Sequence, residues 1–195
     1  SKIIIPDSVT YIGDGAFMWN ESLSAVTIGA NVKTISTNAF RGCSSLEIVS
    51  LPTHLNSIGA YAFQNCYNMV ELKIPSSVMY FGNYAFSGCD KLKKVYTYTL
   101  EPTTIIEETF AKTIYSTATL YVPKTSYNNY EYNTEWSQFV NHEDFDEPYE
   151  YFYINKDYIL DRVYKLRDEG ELDAFIDKYE EFKKDLNQDK LIWWW

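Results

Sequence analysis

Histidine is scarce in this chain: only His54 and His142 occur in 195 residues. The side chain used most often as a general base at neutral pH is therefore almost missing. His54 falls in a turn of a repeat described below, which makes it a solvent-facing loop residue. No phosphate-cradling glycine motif, nucleophile elbow or zinc-protease helix occurs. The reading is non-enzymatic, with no cofactor and no metal site. Cysteine is limited to Cys43, Cys66 and Cys89. An odd count does not make a closed disulfide framework. No apolar run approaches the roughly 18 residues of a membrane-spanning helix. The opening "SKIIIPDSV" lacks the basic-then-apolar order of a secretory signal. Basic residues are outnumbered, 17 against 27 acidic, for a net charge of −10. Such a chain is a poor electrostatic match for nucleic acid or an anionic lipid surface.

Apolar and aromatic residues are plentiful, at 46% and 17%, including 18 tyrosines. They recur with a period. Ala16-Phe17, Ala39-Phe40, Ala62-Phe63 and Ala85-Phe86 are each 23 residues apart. Leu23, Leu46, Met69 and Leu92 keep the same step, as do Val26, Val49, Leu72 and Val95. So do Ile5, Ile28, Leu51 and Ile74, and the Pro6, Gly29, Pro52, Pro75 column after them. One such unit cannot bury its own apolar residues; stacked units bury them as continuous ladders. The alternating "V-x-I" piece reads as a strand pairing in parallel with its copies, about 4.8 Å apart. Pro or Gly ends each strand. Gly13, Gly59 and Gly82 read as a second corner that needs positive φ. The phenylalanines fill the interior, and the three cysteines, one per coil, read as reduced, stacked small fillers.

The stretches "LEIVSLPTHLNSIGAYAFQNC" (46–66) and "LKIPSSVMYFGNYAFSGC" (72–89) resemble the BspA-type leucine-rich repeats of bacterial and protist surface proteins. The resemblance covers about residues 3–122. It implies an α/β solenoid, a leucine-rich-repeat-like right-handed coil with a parallel β-sheet and a C-terminal cap. It also implies an extracellular or cell-surface location. About five coils of 23 residues plus the cap fill residues 1–140. The spacing slips by one at Phe110, "LYVP" returns as a last strand, and Tyr127, Tyr130, Trp136 and Phe139 are expected to cover the end, with Thr125 or Ser126 capping a short helix. At the other end the chain enters at a strand, and further coils are expected upstream.

Charge divides the chain. Residues 1–140 carry 9 basic and 11 acidic side chains; residues 141–195 carry 8 and 16. Residues 141–154 read as an acidic linker, in which His142, Glu143, Asp144 and Asp146 cluster. Residues 155–195 read as a helical hairpin, with a stripe from Leu172 to Leu186. Phe175, Tyr179 and Phe182 on that stripe are candidates for self-association. The binding surface is expected on the sheet, at the residues flanking the inward Val column: Lys2, Ile4, Thr27, Ile48, Ser50, Glu71, Lys73, Lys94, Tyr96 and Tyr121. This strip mixes both charges with tyrosine, which suits a protein or glycan ligand, and adhesion is what the family resemblance implies. The alternative is a structural spacer whose contacts are made by the helical tail.

Overall fold

Each 23-residue unit folds into one coil with two short strands and a run of turns. The computed structural model describes residues 1–106 and 108–145, all within one unit, Ser1–Glu147. The hairpin expected over 155–195, with Phe175, Tyr179 and Phe182, lies outside the described residues. The first coil holds β1 (Lys2–Ile4) and β2 (Tyr11–Ile12), the second β3 (Ala25–Thr27) and β4 (Thr34–Ile35). The third holds β5 (Ile48–Ser50) and β6 (Ser57–Ile58), the fourth β7 (Glu71–Ile74) and β8 (Tyr80–Phe81). Then come β9 (Lys94–Thr97), α1 (Lys112–Thr117), β10 (Thr119–Pro123), α2 (Tyr127–Glu131) and β11 (Asn141–Phe145).

Among the described residues all pairing is parallel, and each repeat residue meets its counterpart one coil on: Ile3 pairs Val26, Val26 pairs Val49, Leu72 pairs Val95, and Val95 pairs Leu120. The two-residue strands form one unbroken sheet in the order β2-β4-β6-β8. The longer strands form two sheets, β1-β3-β5 and β7-β9-β10-β11, with no pairing between β5 and β7. The turn side is laddered too. Phe17, Phe40 and Phe63 each donate a backbone N–H to the alanine carbonyl of the next coil, at 2.7–2.8 Å. Phe86 donates in the same way to the Thr109 carbonyl, and Ala39, Ala62 and Ala85 are fully buried in this ladder.

The core is a column of rings. Phe17, Phe40, Phe63, Phe86 and Phe110 stack with centroids 5.0–5.5 Å apart and planes within 13°. Burying each ring stabilises the fold by about 1.5–3 kcal/mol, and stacking adds roughly 0.5–1.5. Beside it the cysteines are buried and free. Each thiol donates to a phenylalanine carbonyl of the coil before: Cys43 to Phe17 at 3.1 Å, Cys66 to Phe40 and Cys89 to Phe63 at 3.3 Å. Burial pushes the Cys43 thiol up to about 11 and the Cys89 thiol up to about 12, and raises Cys66 further.

Two expectations about backbone need correction. Gly59 and Gly82 do not have positive φ. They are glycine because a Cβ would lie 2.6 Å and 2.1 Å from backbone nitrogens of the previous coil. Gly13 meets neither demand; its Cβ would find only the Tyr11 ring at 3.6 Å. Left-handed backbone occurs instead in two other columns. One is Gly15, Asn38, Tyr61 and Tyr84; the other is Trp19, Gly42, Asn65 and Gly88, all with φ between 58° and 76°.

The closing coil and cap shield the end of the ring column. Tyr115, Trp136 and Phe139 meet Phe110 edge-on at 5.5–6.2 Å. Trp136, Tyr130 and Phe139 are buried, and Tyr127 is partly so. The buried Tyr130 hydroxyl sits among the hydroxyls of Thr97 and Thr99 and donates to the Thr99 carbonyl. Burial raises its pKa to about 12. The Trp136 indole donates to the Thr103 carbonyl at 2.7 Å. Ser126 stands at the N-cap of α2 without a side-chain cap; its Oγ donates back to the Pro123 carbonyl. Residues 141–145, expected to begin the acidic linker, are instead β11, paired along its length with β10.

Candidate functional site

Strand alternation sends Leu72, Val95 and Leu120 into the core and their neighbours to the opposite face of the sheet. Parallel register then arranges those neighbours in files across the strands. One file runs Glu71, Lys94, Thr119, Asn141; the next runs Lys73, Tyr96, Tyr121, Glu143. Five of the ten residues expected at the binding surface, Glu71, Lys73, Lys94, Tyr96 and Tyr121, therefore come together on the four-stranded sheet. The other five, Lys2, Ile4, Thr27, Ile48 and Ser50, lie on the separate three-stranded sheet. There Ile4 and Ile48 are 78% and 61% exposed, in different files.

The four-stranded face is tightly organised. Tyr96 and Tyr121 stack at 4.4 Å with planes 13° apart. Lys73 places its ammonium over the Tyr96 ring at 5.7 Å and pairs with Glu71 at 3.1 Å. Glu143 pairs with Tyr121 across β10 and β11, its carboxylate near the Tyr121 hydroxyl. Partial burial and the Glu143 carboxylate raise the Tyr121 pKa, against the opposing pull of Lys94. Phe145 meets Tyr98 edge-on at 5.3 Å and tilts toward Tyr96 at 6.1 Å. The Tyr96 ring is thus covered by Tyr121 and by Lys73, while Tyr121 stacks on Tyr96 alone. The surface offers ring edges, hydroxyls and a balanced rim of Lys73, Lys94, Glu71 and Glu143.

Sequence reasoning missed Tyr98, Glu143 and Phe145. Tyr98 lies past the fixed-period part of the repeat. "NHEDF" shows no apolar alternation, because β11 carries His142 and Asp144 in the rows of Leu120 and Val122. The same alternation separates His142 and Asp144 from Glu143. His142 Nε2 lies 3.3 Å from the Trp136 carbonyl. Among the described residues no three His, Cys, Asp or Glu side chains gather as a metal site would require. Near the cap, Tyr127, Glu131, Phe139, Val140 and His142 line an open groove of about 500 Å³. No helix among the described residues is long and apolar enough to cross a membrane.

No curated protein matches the sequence. Among solved structures, the pneumococcal vaccine antigen PcpA is similar at 20% identity, over 75% of this chain and 41% of its own, with a TM-score of 0.57. A leucine-rich repeat protein from Bacteroides ovatus is similar at 26% identity, over 63% of this chain and 39% of its own, with a TM-score of 0.48. The chain therefore spans about two fifths of the length of either. The first likeness bears on the repeat fold alone. The family model described as the BspA type leucine rich repeat region matches residues 1–133, in 6 copies. With those copies stacked as the parallel coils described above, the chain belongs to the BspA-type leucine-rich repeat family.

Proposed function

We propose that this chain is a non-enzymatic binding module, working at the cell surface or outside the cell, that holds a protein ligand against its four-stranded sheet. The observation that carries this is the face-to-face stack of Tyr96 and Tyr121 within a mixed-charge rim. Sugar rings are held on open aromatic faces, and here both faces of Tyr96 are filled. Ring edges, phenolic hydroxyls and paired charges are what a protein surface complements, and tyrosine is enriched at the energetic centres of such interfaces. The balance of charge argues against a phosphate-bearing ligand. Location outside the cell rests on membership of a family of surface proteins. The test is a panel of extracellular proteins against the wild type and the variant Lys94→Ala/Tyr96→Ala/Tyr121→Ala. A ligand lost by the variant at unchanged melting temperature supports the reading. A ligand that binds both equally places the contact elsewhere and leaves this part of the chain a spacer.

A further inference from the structure

The sheet of two-residue strands carries a row of side chains that the core does not use. Ile12, Ile35, Ile58 and Phe81 point inward and are buried. Strand alternation turns Tyr11, Thr34, Ser57 and Tyr80 outward, and parallel register sets them side by side in one file. This file is unbroken across four coils, whereas the longer strands part between β5 and β7. It is also straight. The planes of Phe17, Phe40, Phe63 and Phe86 turn by only 2–5° from coil to coil, so each coil is close to a pure translation of the last. With strands about 4.8 Å apart, the three steps from Tyr11 to Tyr80 span about 14 Å.

The file is polar, aromatic at its ends and almost without charge. Tyr11 and Tyr80 are 55% and 57% exposed. Tyr11 Cε1 comes within 3.6 Å of where a Gly13 Cβ would stand, so the ring leans along its own strand over glycine and keeps its other side to solvent. Between the tyrosines, Ser57 Oγ donates to Thr34 Oγ1 at 3.2 Å, and both side chains are part-exposed. That direction leaves the Thr34 hydroxyl hydrogen to donate and the Ser57 lone pairs to accept. Among the file and the four residues just before it on the strands, Lys33 alone is charged. We infer that this file is a second binding site, separate from the face of Tyr96 and Tyr121, for an extended, uncharged β-1,4-linked glycan. Each pyranose of such a chain advances by close to one strand spacing. Four units thus cover the file. The outer two lay their C–H faces on the negative ring faces of Tyr11 and Tyr80, and the inner two exchange hydrogen bonds with Thr34 and Ser57. A protein ligand would call for an apolar centre, and here the centre is a pair of hydroxyls.

The probes are cellotetraose, mannotetraose and chitotetraose, with the matching disaccharides and the α-linked maltotetraose as controls. The readout is the NMR ring signals of Tyr11 and Tyr80 in the whole chain. At least one β-linked tetrasaccharide should shift both rings and leave Tyr96 and Tyr121 unmoved. Maltotetraose, whose chain curves, should shift neither at equal concentration. The matching disaccharide, too short to reach both tyrosines, should bind about tenfold more weakly or worse. Tyr11→Ala and Tyr80→Ala should each weaken binding about tenfold or more at unchanged melting temperature, whereas Tyr80→Phe, which keeps the ring, should stay within about threefold. Equal shifts with maltotetraose, a shift confined to one of the two tyrosines, no shift with any of the three β-linked tetrasaccharides, or full affinity in Tyr80→Ala would overturn the inference.

Discussion

At the residue scale, one letter in the repeat stands for different physical demands. The cysteine column was legible because three residues at one interval, each three places after a buried phenylalanine, have nowhere to sit but the interior. Burial of those thiols makes a prediction about pH. Their pKa values in the folded chain are raised above the ordinary value of 9.0. The folded state therefore holds protons that the unfolded state gives up. The stabilisation is complete below pH 9 and falls as pH rises from there through 11–12. Urea midpoints measured between pH 7 and 11 should fall, and Cys66→Ala should flatten the alkaline decline. An alkaline limb unchanged by that substitution would show the thiols to be exposed. Glycine was read less well, since a sequence column does not separate positive φ from a close backbone approach. Gly82→Ala should destabilise by about 1–3 kcal/mol or more, because its Cβ meets backbone that cannot give way. Gly13→Ala should stay within about 0.5 kcal/mol. The left-handed columns carry Gly, Asn, Tyr and Trp, no common letter, so nothing in the sequence marked them.

At the scale of elements, stability should grade along the ring column. Phe63 has a stacked ring on each side and is fully buried, whereas Phe17 is partly buried and stacks on Phe40 alone. Phe63→Ala should cost about 3–5 kcal/mol in chemical denaturation and Phe17→Ala clearly less. Equal losses would contradict a column closed at the cap end. The V-x-I strands were legible from their period, down to the residue that pairs with each, whereas the two-residue strands β2, β4, β6 and β8 fall where the sequence suggested only a corner. The cap was legible in part. Tyr130, Trp136 and Phe139 could be assigned to the end of the stack because aromatic residues past the last repeat must cover something. The partners that pin them, Thr97, Thr99 and the Thr103 carbonyl, follow from tertiary contact and leave no local pattern. β11 was missed for a related reason. An edge strand with polar residues on both rows does not alternate, and only its pairing with β10 makes it a strand.

At the scale of the whole molecule, the gap in pairing between β5 and β7 divides a surface that the repeat would present as continuous. A period-23 alignment spreads candidate binding residues evenly along ten positions. The structure concentrates Lys73, Lys94, Tyr96 and Tyr121 on one sheet and joins to them Tyr98, Glu143 and Phe145. The fold was thus far more legible than the site, since core ladders repeat and a binding surface is where coils differ. The measurement that tests the central claim most directly is a photo-crosslinking scan on living cells. A photoreactive residue is placed in turn at Lys73, Lys94 and Tyr121 on the four-stranded sheet, and at Lys2, Thr27 and Ser50 on the three-stranded one. The account predicts one discrete protein adduct from the first set and none from the second, with the adduct abolished by Tyr96→Ala. Adducts of equal yield from both sets, or from the second set alone, would contradict it.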